Sequence, residues 1–123
     1  MTRPRVAILA QDLIWQDRLA RAVEAAGGVA ARARTDAELD LALVAADAAV
    51  IDLTARAYDG VVAIEHATAA GVRVLAVGQH DDVELRKRAI ASGAEKVLAY
   101  RKLFEDGPAT IARFIGTTPV AAS

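Results

Sequence analysis

Ala48-Ala49-Val50-Ile51-Asp52-Leu53 is an apolar run of strand length that ends on one carboxylate, and Asp59-Gly60 follows seven and eight residues beyond that aspartate. A continuous apolar run predicts a strand buried on both faces, the condition of a central strand in a parallel sheet. In open sheets of that kind, ligands and chemistry gather outside the carboxyl ends of the strands. Asp52 is therefore the first candidate for a functional residue.

The same pattern repeats on either side. Towards the N-terminus, Val6 to Ala10 (VAILA) is another buried-strand run, and Asp12 suits a helix N-cap. Trp15, Leu19, Ala22, Val23 and Ala26 then recur on one helical face, with Asp17, Arg18, Arg21 and Glu24 largely elsewhere. Gly27-Gly28 ends this helix. Val29 to Arg34 is a weaker strand whose Arg32 and Arg34 fit an edge position. Thr35-Asp36 caps a helix over 37–45 that sets Leu39 and Leu43 against Leu41 and Val44. Towards the C-terminus, Gly60 to Ala70 reads as a helix closed by Gly71, and Val72 to Val77 as a strand. Val83 to Ser92 reads as a helix with Leu85, Ala89 and Ile90 inward, and Lys96 to Ala99 as a short last strand. Pro108, a good first-turn residue, predicts the start of the final helix. Strands alternating with helices over short connections predict one doubly wound α/β domain, (βα)5, over residues 1–116, with 117–123 as a flexible tail or linker.

Composition removes several classes of function. The 123 residues suit one domain with a real core. Hydrophobic residues make up 54% but aromatics only 4%, so the core is aliphatic and rich in alanine. A net charge of -1 gives no basic field for nucleic acid. The absence of cysteine excludes disulfides, thiolate metal sites and a cysteine nucleophile. No apolar run nears the roughly 18–20 residues of a membrane span. The basic N-terminus runs directly into a strand pattern, without a signal-peptide core. The expectation is a cytoplasmic protein. No P-loop motif occurs, and no G-x-G-x-x-G follows the first strand. No serine nucleophile has a placed histidine.

In order and spacing these residues resemble the receiver domains of bacterial two-component response regulators, the CheY-like fold, over nearly the whole chain. Val50-Ile51-Asp52 with Asp59-Gly60, Gly93-Ala94-Glu95 before the last strand, and the ungapped first strand and helix from Ala10 to Gly27 carry the resemblance. It implies a flavodoxin-like parallel sheet of order 2-1-3-4-5, Asp52 as phospho-acceptor position, a histidine kinase as phosphate donor, and Mg²⁺ beside Asp52. The departures are equally specific. Two acidic residues follow the first strand in a receiver; here the positions hold Ala10 and Gln11, and only Asp12 is acidic. The Thr or Ser ending the fourth strand is Gly78. The Lys ending the fifth falls on Tyr100 and Arg101, and its usual aromatic on Val97. Phosphoryl transfer rests on positioning and charge neutralisation, and these departures remove most of both. The expectation is a non-catalytic pseudo-receiver that signals through protein contacts and needs no cofactor. One alternative is an atypical receiver, phosphorylated on Asp52 with Mg²⁺. Another is a small-molecule-binding flavodoxin-like domain, which the missing phosphate loop weakens.

Individual residues leave alternatives open. Asp52 is either the acceptor or a partly buried carboxylate that caps a neighbouring loop or pairs with Arg101 or Lys102. Asp12 is either a weak metal ligand or an N-cap. His80-Asp81-Asp82 is either a metal site or a solvated loop. Arg86, Lys87, Arg88, Arg101 and Lys102, with Arg113, form either an interaction face for a homodimer or protein partner or a solvated surface balanced by Glu84, Glu95, Glu105 and Asp106. Trp15 is expected in the core.

Overall fold

A computed structural model describes residues 3–79 and 81–117 of the chain. Among these residues strands and helices alternate as β1 (Arg5–Leu9), α1 (Leu13–Ala25), β2 (Val29–Ala33), α2 (Asp36–Leu43), β3 (Ala48–Asp52), α3 (Gly60–Ala69), β4 (Arg73–Gly78), α4 (Val83–Ala91), β5 (Lys96–Ala99) and α5 (Tyr100–Ile115). All neighbouring strands run parallel, in the order β2-β1-β3-β4-β5. β3 is central, and every one of its residues is buried. β2, which carries Arg32 and is followed by Arg34, is an edge strand as expected.

The strands divide the core into two layers. Ala7, Leu9, Ala49, Ile51, Val74 and Ala76 turn towards Leu39 and Leu43 of α2, Ala63, Ile64 and Ala67 of α3, and Ala89 of α4. Val6, Ile8, Val50, Leu75 and Val77 turn the other way, onto Leu19 and Val23 of α1 and Leu103 and Ile111 of α5. Successive residues of a strand point to opposite faces, so a sheet covered on both sides is apolar at every position. That is the physical origin of the unbroken runs. Each fully buried Ile, Leu or Val contributes about 1.5–3 kcal/mol relative to exposure.

Capping residues fix where the helices begin. Asp12 Oδ1 accepts from the Trp15 amide at 2.9 Å, Thr35 Oγ1 from Glu38 at 3.2 Å, and Asp82 Oδ1 from Leu85 at 3.1 Å. Asp59 Oδ1 accepts from Val61 at 2.9 Å and Val62 at 3.3 Å. Each bond satisfies an amide that has no partner inside its helix. The Asp59-Gly60 pair thus opens α3. A Cβ on Gly60 would stand 3.0 Å from Leu53 Cα, so glycine lets α3 start directly against the end of β3.

Two expectations are corrected. The final helix begins at Tyr100, not at Pro108, and breaks at Asp106 (φ −148°, ψ 38°). Pro108 lies in the first turn of the second segment, where a missing N–H is harmless; it marks a restart rather than a start. Ile90, expected inward, is 47% exposed, and Ala89 is the one buried residue of α4. α4 stands over short β5 at the sheet edge and has little apolar surface to cover. At the C-terminus, Thr117 donates its amide to Ala112 O at 2.9 Å and its hydroxyl to Ala26 O. The rest of the expected tail, 118–123, lies outside the described residues. Among the described residues no helix is long and apolar enough to cross a membrane.

Candidate functional site

Asp52 is 4% exposed at the carboxyl edge of the sheet, in register with Val77 of β4 and one residue beyond the β1 pairing. Three hydrogen bonds converge on its Oδ1. Thr54 donates two of them, from its amide at 3.0 Å and its hydroxyl at 2.9 Å. This is the local turn that an Asp followed two residues later by a hydroxyl side chain forms readily. The third comes from the Tyr100 phenol, which also touches the Thr54 hydroxyl. Tyr100 is the first residue of α5, so the end of β5 aims it at β3. Its ring meets Trp15 of α1 edge-on, with centroids 4.6 Å apart and planes at 78°. Burial first, and then the bond to Asp52, hold the Tyr100 phenol well above its ordinary pKa, so it stays a donor.

A second tyrosine lies beneath. The Tyr58 hydroxyl donates to Asp52 O at 2.7 Å and, less directly, to Leu9 O at 3.2 Å. It ties the ends of β3 and β1 together. Burial, followed by the charge of Asp52, raises its pKa far above the usual tyrosine value.

Gln11 joins the loops on the other side. Its Oε1 accepts the amides of Arg56 at 2.9 Å and Ala57 at 3.1 Å. Its backbone O accepts from Arg34 Nε at 3.1 Å and Nη2 at 3.0 Å. Gln11 therefore fastens the β3–α3 connection to the end of β1 through its neutral side-chain amide, and the β2–α2 connection through its backbone carbonyl. Below it, Gln16, 5% exposed, donates to Ala33 O at 2.8 Å and Ala10 O at 3.2 Å.

These donors do not suit the Mg²⁺ of a receiver. Mg²⁺ takes hard oxygen ligands in near-octahedral geometry. Ala10 is fully buried and offers none, Gln11 Oε1 already faces two amides, and Asp12 Oδ1 caps α1. Among the described residues no three His, Asp or Glu side chains come together as a metal site. His80, the candidate ligand on the β4–α4 loop, lies outside the described residues. Gly78 ends β4 fully within the fold, and a Cβ there would meet Leu53 Cδ1 at 3.4 Å, an ordinary contact.

Arg101 and Lys102, the cations expected at Asp52, do not reach it. Arg101 pairs with Glu105 at 2.9 Å and Lys102 with Asp106 at 3.6 Å, each one helical turn on. Long side chains on an exposed helix find local carboxylates first, and the shorter, rigid phenol of Tyr100 takes the inward position. Arg86, Lys87, Arg88, Arg101, Lys102 and Arg113 are all exposed on α4 and α5. These helices flank β5 from opposite layers, so the basic side chains border one edge of the sheet. Lys87 pairs with Glu84 at 3.8 Å, and Arg113 with Asp106 at 3.6 Å. Trp15 is half-buried, and its Nε1 is buried without a hydrogen-bond partner among the described residues. Sequence reasoning missed Thr54, Tyr58 and Tyr100 as partners of Asp52. The Asp-x-Thr spacing was a usable signal for Thr54; the tyrosines gave none.

Solved structures share this arrangement of elements. The beryllofluoride-activated DrrB receiver domain has a TM-score of 0.80 over 94% of this chain and 99% of its own, at 16% identity. A response regulator from Thermotoga maritima gives 0.79 over 94% and 100%, at 15% identity. A CheY-like receiver domain protein from Methanospirillum hungatei JF-1 gives 0.76 over 94% and 95%, at 19% identity. The chain has the receiver fold. The likeness is one of fold: no family model and no curated protein matches the sequence. Within the receiver fold, Asp52 ends the central strand, and the groups around it are Thr54, Tyr58, Gln11 and Tyr100.

Proposed function

We propose that this chain is a pseudo-receiver, a cytoplasmic signalling domain that acts through protein contacts and does not take up a phosphoryl group efficiently. One observation carries the reading: Asp52 Oδ1 is occupied by three donors of the chain itself, with the neutral phenol of Tyr100 among them. A phosphorylated aspartate needs neighbouring positive charge that neutralises the incoming phosphoryl oxygens. A phenol with a raised pKa donates one hydrogen bond and no charge. The basic edge formed by α4 and α5 is the proposed contact surface, for a partner domain.

The test is a titration with Mg²⁺ and beryllofluoride, a phosphoryl mimic, followed by amide shifts around Asp52. The expected result is no saturable shift. Saturable shifts that disappear in Asp52→Asn would establish the second reading, an atypical receiver phosphorylated on Asp52 by a histidine kinase. That reading has its own support: all the bonds fall on Oδ1, and Oδ2 takes no hydrogen bond among the described residues.

A further inference from the structure

We propose that the groove between α1 and α5 is a homodimer interface, filled by Phe104 of a second copy of this chain. Phe104 is 69% exposed, in a protein with only two phenylalanines. It stands at the rim of a 360 Å³ groove walled by Trp15, Leu19, Ala22, Ala25, Leu103 and Pro108. A knob and a groove on one face are the ingredients of an isologous contact, because a two-fold axis places each knob in the opposite groove. Aromatic anchors seated in apolar pockets are also the side chains that carry most of an interface's energy.

The charges fit the same occupant. Arg18, at the groove, makes no ion pair among the described residues and lies over the Phe104 ring at 4.9 Å. Phe104 brings Glu105 with it, and the exposed Arg101–Glu105 pair is weak enough to exchange partners. A second copy that inserts Phe104 thus delivers a carboxylate towards Arg18.

The inference rests on the protein-contact reading above, yet the two fail separately. Beryllofluoride reports on Asp52, and self-association reports on the groove. Sedimentation equilibrium of the full chain from about 1 to 500 µM, a range that spans weak to moderate affinity, is expected to show the mass rising from 12.9 kDa towards twice that value. Phe104→Ser, which removes the knob, and Ala25→Gln, which blocks the groove, should each weaken association by about tenfold or more. Mixing the two variants should restore part of it, since one intact knob then meets one intact groove. Arg18→Glu, entirely on the surface, is expected to weaken association and covers the case in which Phe104→Ser fails to fold. Arg88→Glu on α4 should leave it unchanged. A monomer across the whole range overturns the proposal. So does a dimer that Arg88→Glu disrupts and the groove variants do not.

Discussion

The carboxyl rim of the sheet and the α1–α5 face lie side by side with Trp15 in the wall of both, and they are built in opposite ways. At the rim, hydroxyls and amides converge on acceptors of the same chain: Thr54 and Tyr100 on Asp52, Tyr58 on two strand ends, Arg34 and two loop amides on Gln11. On the flank, a phenylalanine stands in water, an indole N–H is buried without an acceptor, and a guanidinium has only an aromatic ring beneath it. Buried polar groups are generally satisfied, a rule that the rim follows and the buried indole N–H does not. The end of β3 is closed by the chain's own hydrogen bonds, and the flank is the side that the proposed self-association would use.

The sharpest way to break this contrast is Asp52→Ala. It leaves the hydroxyls of Thr54 and Tyr100 without their acceptor, and a loss of about 2–3 kcal/mol is expected in urea unfolding. Asp52→Asn keeps an acceptor oxygen and should lose clearly less. Equal, small losses in both would show that the rim is not a structural knot. Gln11→Ala removes the acceptor of two loop amides and should cost about 1–2 kcal/mol. Amide exchange at Arg56 and Ala57 should accelerate before that elsewhere in the sheet; uniform acceleration would deny Gln11 its fastening role.

Alkaline titration is a gentler probe. An ordinary tyrosine is half ionised near pH ~10. Both tyrosines of this chain have raised pKa values in the folded state. Their contribution to stability is therefore complete below the unfolded value and is lost as pH climbs through the folded one. The expected ultraviolet spectrum shows no tyrosinate at pH 10 while the protein remains folded, and unfolding then releases both phenolates together. Ionisation of one tyrosine at pH 10 without unfolding would mean that Tyr100 is not held on Asp52. The smallest effect belongs to the flank. Phe104→Ser should change monomer stability by no more than about 0.5 kcal/mol, since the side chain is mostly in solvent. A larger loss would make Phe104 part of the core and erase the contrast.

What was legible in the sequence follows from the range of the forces involved. The strand ending on Asp52, the edge position of β2, the Asp12 cap and the start of α3 at Asp59-Gly60 depend on neighbouring residues, so their pattern survives in one dimension. Thr54 belongs with them, because its bond to Asp52 spans two residues. The Tyr100 bond spans 48 residues and joins two strand ends that only the folded sheet brings together. Charge pairing suggested Arg101 or Lys102 at that place, and their own helix supplied nearer carboxylates. Pro108 misled for a related reason: a proline announces a first turn but not whether another helical segment precedes it. Gln11 gave no hint that its side-chain amide would hold the β3–α3 loop, since the amides it accepts lie 45 and 46 residues away.

The break at Asp106 divides α5 in two. It separates a short arm, Tyr100 to Glu105, from the long second segment that is anchored in the core by Ile111 and Ala112. Tyr100 and Phe104 sit one turn apart on this arm, one bonded to Asp52 and the other standing in solvent. Leu103, between them, packs the same turn into the core. A single helical turn thus spans from the central strand to the flank.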